Sequence, residues 1–442
     1  MSKLALLGGE KTVKINASEE MFHWPIVNQA MKDAVIKVLE DGTMSDLEIS
    51  KEFETGFAKW HGMKYGLAQS CGTAALHAAM YGVELGVGDE LICPSITYWA
   101  SCTQALNLGA SVVFADIEPD TLCLDPDDFE RKITERTKAV VVVHYLAHPA
   151  DMDRIMEIAR KHDIKVIEDC SHSHGTLYKG KLTGTFGDVS GFSCMSGKSF
   201  AIGEGGMMMT NDREIFERAI LFGLYSRHDE IQNEELQAKT ALPSGGFKYR
   251  MHQMSAAVGL EQLKKYPAEM AEIDKVFNYF WDNLEDVEGL GSHRPKDSGS
   301  TKGGWYIPVG LYEAEKFGGL SCKRFCEAIQ AEGVPFVING VNAPLHKHLL
   351  FNTIDVYGHG RPTNSAHLPV GVENREDIKE LPVASKLKDR IFQLPYMKHF
   401  DQELLDQYIA AFKKVCENYA ELLDGDTDQE VEASWNLTKR KG

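Results

Sequence analysis

Val140-Val141-Val142-Val143-His144, the helical pattern of Asp151–Lys161, and then Lys165-Val166-Ile167-Glu168 form the stretch that decides the fold. Two short β-branched runs separated by one helix ask for a right-handed crossover and parallel pairing. The alternation continues outward from this unit. Leu91–Cys93, Ser111–Asp116 and Gly206–Thr210 read as further strands, and Thr73–Leu85 as a further helix. The fold class is therefore α/β, a mostly parallel central sheet with helices on both faces. Ligands of such sheets bind at the carboxyl ends of the strands, so the residues just after each run are the ones to read for chemistry.

The pattern differs at either end of the chain. Between Trp24 and His61, Val27, Met31, Val35 and Leu39 recur at helical spacing. After Pro267 the sequence predicts a helix over Ile273–Leu284, an exposed Gly/Ser/Pro/Lys-rich connection over Gly289–Gly304, and a strand near Trp305–Val309. A helix over Cys322–Glu332, a strand near Pro335–Val337 and a helix over Gln402–Leu423 follow. This divides the chain into residues 1–266, a lead-in segment with a large domain, and 267–423, a smaller α+β domain. Residues 424–442 are expected to be a loose tail, an acidic run followed by Lys439-Arg440-Lys441.

Composition removes several function classes. The 442 residues are 43% hydrophobic and 25% charged, close to the globular average. Against 65 acidic residues stand 47 Lys and Arg, and the net charge of −18 repels nucleic acid and anionic membrane. No apolar run approaches the ~18 to 20 residues that span a bilayer, and the apolar stretch in Met1–Val13 is shorter than a signal-peptide core is expected to be. The nine scattered cysteines contain no CxxC pair, which points to reduced thiols in the cytoplasm rather than disulfides or a structural zinc.

Three segments carry chemistry. Ser70-Cys71-Gly72-Thr73 opens the apolar helix Ala74-Ala75-Leu76-His77-Ala78, where exposed N–H groups and the positive end of the helix dipole suit a phosphate; the plainer alternative is that Ser70 or Thr73 only caps the helix. In Ile167-Glu168-Asp169-Cys170-Ser171-His172-Ser173-His174 a strand runs into acids and histidines, and a carboxylate at that edge can hold a positively charged ring nitrogen. Asp169, Cys170, His172 and His174 are also metal-ligand types, but the spacing matches no familiar zinc motif; His174 is equally an ordinary core histidine. Third, Lys198 stands alone in the nearly uncharged stretch Gly191–Gly206, where a desolvated amine could form a Schiff base with a carbonyl. An anion cradle, a ring-pairing Asp and a lysine are together what pyridoxal phosphate requires.

These segments, with Phe192-Ser193, Gly203-Glu204-Gly205-Gly206 and Gly246-Phe247-Lys248-Tyr249-Arg250-Met251, resemble the DegT/DnrJ/EryC1/StrS family of sugar aminotransferases. The resemblance runs from Leu4-Ala5-Leu6-Leu7-Gly8-Gly9 to about Leu423. It implies the aspartate aminotransferase type I fold of pyridoxal-phosphate enzymes. It further implies that Lys198 carries the cofactor and moves the proton, that Asp169 pairs with the pyridinium nitrogen, and that Gly72, Thr73 and Ser193 bind the phosphate. Tyr98 falls where an aromatic ring lies against the cofactor. Two positions depart from the commoner pattern: His172 stands where Gln is usual, and Lys248 where an Asn reaches the phosphate of the neighbouring subunit. Lysine at 198 favours transamination over the dehydration run by a histidine-bearing branch that uses the pyridoxamine form.

Tyr225-Ser226-Arg227-His228, Lys316–Leu320 and Pro344-Leu345-His346-Lys347 resemble the branch that aminates keto-cyclitols such as scyllo-inosose, with glutamine or glutamate as donor. A nucleotide-linked 3- or 4-keto hexose is the rival acceptor. Arg227, His228, Arg250 and His346 are the candidate substrate contacts, and Arg250 alternatively holds the donor carboxylate. The resemblance implies a homodimer with shared sites. Readings from other classes are a non-catalytic regulatory protein that keeps the cofactor, and a metal-dependent hydrolase built on His144, Cys170, His172 and His174.

Overall fold

The computed structural model describes residues 3–372 and 381–426; most of the expected tail, 427–442, lies outside the described residues. The large sheet has seven strands: β1 (Tyr65–Gln69), β2 (Glu90–Pro94), β3 (Ser111–Ala115), β4 (Thr137–Val143), β5 (Lys165–Asp169), β6 (Val189–Ser193) and β7 (Gly206–Thr210). Their order is β1-β7-β6-β5-β4-β2-β3. Pairing is parallel except along β7, which runs antiparallel to both β6 and β1. Val140, Val141 and Val142 are wholly buried, as a strand covered on both faces requires.

Helices α1 (Gln29–Glu40), α2 (Glu48–His61), α3 (Gly72–Gly82), α4 (Met152–Lys161), α5 (Arg213–Gly223) and α6 (Gln253–Asp282) surround the sheet. In α4 the Asp151 carboxylate caps the Arg154 amide at 3.2 Å, and Met152, Ile155, Ile158 and Ala159 form the buried stripe. The alanine-rich α3 is buried almost all round and lies against β6, β7 and α5. On α1 the buried residues are Met31 and Val38, whereas Ile36 and Leu39 are exposed; Val27, also exposed, precedes the helix. The buried face thus runs through Met31 and Val38 rather than through Leu39.

The expected division at 266/267 falls inside α6, which continues for 30 residues through Pro267. Its first half contributes Ala256 and Tyr266 to the core of the large domain, and its second half gives Ile273, Val276, Phe277, Phe280 and Trp281 to another core. Leu4, Val13 and Met21 join that second core, although they come from the start of the chain. There a four-stranded antiparallel sheet, β8 (Leu290–Ser292), β9 (Val309–Tyr312), β10 (Ile338–Asn339) and β11 (Ile391–Gln393), has the order β8-β9-β11-β10. It packs with α7 (Cys322–Ala331) and α8 (Gln402–Glu417).

Two of these strands start later than the sequence suggests. Trp305 and Ile307 have φ of 51° and 47°, and Phe336 has 57°, so the chain is not extended at 305–307 or at 336. Nor is Gly289–Gly304 wholly exposed: His293 and Lys302 are buried within it.

Candidate active site

The carboxyl edge of the sheet collects the chemistry. Gln69 of β1 and Ser193 of β6 both pair with Gly206 at the start of β7, so these strand ends lie side by side. The chain passes from Gln69 through Cys71 into α3. No side chain caps α3, leaving its first N–H groups for a ligand. Space is tight enough to demand glycine. A Cβ on Gly72 would lie 2.5 Å from Ser193 Cβ, and one on Gly206 would lie 2.3 Å from the Cys71 carbonyl oxygen and 2.7 Å from the Gly72 nitrogen. Gly72, Thr73 and Ser193 are therefore brought together, with bare amides and a hydroxyl fit for a phosphate.

Lys198 sits on the loop between β6 and β7. Amides of Cys194, Ser196 and Ile202 donate across that loop to the carbonyls of Gly205, Gly203 and Cys194 at 2.8–2.9 Å, and Gly203 supplies the left-handed turn with φ of 101°. The lysine is held at both backbone atoms: its amide donates to the Met195 carbonyl at 2.8 Å, and its carbonyl accepts the Trp24 indole N–H at 2.7 Å. Its Nζ lies over the ring of Tyr306, 4.4 Å from the centroid, and the residue is only 7% exposed.

Asp169 ends β5. Its Oδ2 accepts the Ser101 hydroxyl at 2.6 Å and its Oδ1 accepts the Ser171 amide at 3.0 Å. His172 is buried, and its ring stands 4.5 Å from Tyr306 and 5.5 Å from Tyr145. The Leu146 amide donates to its Nδ1 at 3.3 Å, and Leu146 and Ala147 adopt φ of 49° and 65° at that turn. Burial first, then the charge of Lys198, pulls the imidazole well below its ordinary value. It is therefore neutral, with the proton on Nε2, able to donate to a phenolic oxygen. Tyr98 is half-buried beside Trp99, and burial, with Tyr306 as a further neighbour, raises its phenol.

His172 and His174 do not join His144 and Cys170 in one ligand set among the described residues. Among the described residues the only cluster of ligand atoms is His144, Glu168 and Cys170, and its atoms are already committed. The Ala150 amide donates to His144 Nδ1 at 3.1 Å, leaving Nε2–H to donate to Glu168 at 3.0 Å. Glu168 also accepts the amides of Gly184, Phe186 and Gly187, each at 2.7 Å, and burial pushes the Cys170 thiol well above its usual value. This trio anchors the 184–187 turn. His174 lies among Phe192 and Phe200 as a core residue, away from any ligand set.

The candidate substrate contacts are scattered. Arg227 is 5% exposed and its guanidinium is spent on Glu54 at 2.6 Å and Glu230 at 2.8 Å, which makes it a structural ion pair. His228 bonds the Thr240 carbonyl at 2.5 Å. His346 meets the Ser95 hydroxyl at 2.6 Å just past β2; burial lowers it to about 4, and its charged neighbours are Lys347, Asp116 and Lys132. Arg250 bridges the backbone of Gln69, close to the cradle. Lys248 is exposed against the Tyr225 ring at 5.9 Å, and no contact joins it to Gly72, Thr73 or Ser193 among the described residues.

Sequence reasoning missed Tyr306, Ser101 and Trp24. Tyr306 follows the stretch read as an exposed connection, and the aromatic pair Trp305-Tyr306 was its only signal.

Known proteins resemble this chain along most of its length. L-glutamine:2-deoxy-scyllo-inosose aminotransferase of Streptomyces kanamyceticus is 31% identical over 419 residues, 90% of this chain and 94% of that protein. GDP-perosamine synthase of Escherichia coli O157:H7 is 39% identical over 218 residues, 49% of this chain and 57% of that protein. The X-ray structure of the aminotransferase from Psychrobacter cryohalolentis is 28% identical with a TM-score of 0.76, covering 90% of this chain and 99% of that one. The profile of the DegT/DnrJ/EryC1/StrS aminotransferase family matches residues 25–413, and with that match the chain belongs to this family of pyridoxal-phosphate-dependent sugar aminotransferases.

Proposed function

We propose that this aminotransferase moves an amino group from glutamate or glutamine to a keto-cyclitol or keto-sugar. One observation carries the reading: Asp169, the loop that bears Lys198 and the bare amino end of α3 all follow strand ends at the same edge of one sheet. When bound, pyridoxal phosphate supplies an electron sink for the carbon that loses or gains the amine. Gly72, Thr73 and Ser193 would hold its phosphate, Asp169 would pair with its ring nitrogen, and His172 Nε2–H would donate to its phenolic oxygen. The Lys198 amine would take up and return the proton of the carbon that bears the amine, and the face of Tyr306 beneath Nζ would steady the ammonium so formed.

The donor and the cyclitol acceptor rest on likeness to relatives that use L-glutamine and 2-deoxy-scyllo-inosose by name. A nucleotide-linked keto hexose is the second reading, favoured by the higher identity to GDP-perosamine synthase over about half the chain. The two are separated by incubating the enzyme with glutamine or glutamate and each acceptor class and measuring the aminated product. Formation of amine only from nucleotide-linked sugars overturns the cyclitol assignment.

Two copies share each site in this reading. Lys248 stands exposed beside the exposed Tyr225, and Val27 with Ile36 and Leu39 of α1 offers apolar surface to a partner. The nine free cysteines suit the cytoplasm, and no helix among the described residues is long and apolar enough to cross a membrane.

A further inference from the structure

Asp169 is 4% exposed, yet among the described residues no cation pairs with it. Its titratable neighbours include Cys93 and Cys170, two thiols that burial pushes well above their ordinary value and so keeps uncharged. The carboxylate is instead served by neutral donors, and these form a chain. Ser101 spends its single hydroxyl hydrogen on Asp169 Oδ2 at 2.6 Å. The Thr97 hydroxyl, 2.7 Å from Ser101 Oγ, must therefore be the donor in that second bond. Thr97 and Ser101 are each 1% exposed, so water does not compete for either hydroxyl.

Successive hydrogen bonds pointing the same way in a dry interior polarise one another. Donation to a carboxylate supports its charge and fixes which lone pairs stay open to a further donor. A carboxylate held charged and oriented in this way is ready to accept a pyridinium N–H. We propose that Thr97 and Ser101 are positioning residues that act through Asp169: their directed pair of hydrogen bonds keeps the proton on the cofactor's ring nitrogen and so sets its strength as an electron sink. The inference rests on the pyridoxal-phosphate reading of the site. It concerns one residue that bonds Asp169 directly and one that reaches it through the first, and assigns them a graded role.

The test uses the full-length enzyme reconstituted with cofactor labelled with 15N at the ring nitrogen. Ser101→Ala is expected to move the 15N resonance toward the unprotonated position and to slow the single-turnover reaction with glutamate about tenfold, the weight of one hydrogen bond to a charged group. Ser101→Thr keeps a hydroxyl and restores both readings. Thr97→Val moves them in the same direction by less. A folded, loaded Ser101→Ala enzyme with the wild-type resonance overturns the proposal. If that variant fails to load, Thr97→Val decides: a displaced resonance supports the relay, and an unchanged one overturns it. Wild-type protein that takes up no cofactor sinks the underlying reading instead, a result distinct from both.

Discussion

Gly72→Ala should cost the protein its cofactor, although in an ordinary helix the same change adds about 1 kcal/mol of stability. The added methyl would lie 2.5 Å from Ser193 Cβ and 2.8 Å from Ser193 Cα, whereas carbon atoms rest about 3.5–4.0 Å apart. One of the two segments must retreat by about 1 Å. The contact includes backbone, so no rotamer change relieves it. Overpacking of this kind costs about 1–3 kcal/mol of folding free energy. The same displacement pulls the α3 amides away from the Ser193 hydroxyl and breaks the cradle. Losing one hydrogen bond to a charged phosphate costs about 1.5–3 kcal/mol, or about ten- to a hundredfold in Kd. Gly197→Ala is the control: its methyl meets only the flexible end of Met195, at 3.2 and 3.5 Å, and should leave Kd within about twofold. Absorbance titration of the apoprotein with pyridoxal phosphate gives Kd, and urea unfolding gives stability. Wild-type Kd and stability in Gly72→Ala would refute the reasoning.

Three further outcomes follow from the buried groups. His144 and three backbone amides, working against burial, hold the Glu168 carboxyl below its ordinary value of 4.5, so its contribution is complete above that value and disappears as pH falls through the lower native one. Glu168→Gln should lower stability by about 3 kcal/mol at pH 7 and flatten its dependence on acid, as urea unfolding from pH 7 to 3 will measure. Lys302 is 1% exposed, donates to His293 Nδ1 at 2.8 Å, and is pushed by burial from 10.5 down to about 7. The unfolded chain then binds the extra proton between these values, so stability should rise with pH by at most about 1.4 kcal/mol per unit, and Lys302→Met should remove that slope. Tyr306→Leu, which removes the ring face beneath Lys198 and beside His172, should slow single turnover with glutamate about tenfold; Tyr306→Phe should stay within about twofold.

The parts of the fold that declared themselves are those in which local composition and burial agree. The valines of β4 and the capped stripe of α4 are examples. Gly206–Thr210 has the bounds of β7, but its antiparallel direction is a property of the sheet, invisible in the segment itself. β1 escaped notice because Gly66 and Ala68 in Tyr65-Gly66-Leu67-Ala68-Gln69 have weak strand preference, and the segment owes its conformation to pairing with β7. Pro267 suggested a boundary, yet packing on both halves of α6 carries the helix past it. In the site, Asp169 drew notice because an apolar strand runs into it and Lys198 because it interrupts a nearly uncharged stretch, whereas His172 lies in a polar run and was singled out as a cofactor contact only by the family resemblance. Arg227 misled because Glu54, one of its two partners, is 173 residues away in sequence; Glu230, three residues on, was the available hint. Tyr306 depends on left-handed residues on either side, a conformation that Trp305 and Ile307 do not advertise.

The central claim is that the Lys198 amine is the group that holds the cofactor. Borohydride reduction of the reconstituted wild-type enzyme, followed by peptide mass mapping, should place a single pyridoxyl label on Lys198 and none on the protein treated first with glutamate. A label on another lysine, or no label on an enzyme that transaminates, would contradict the account.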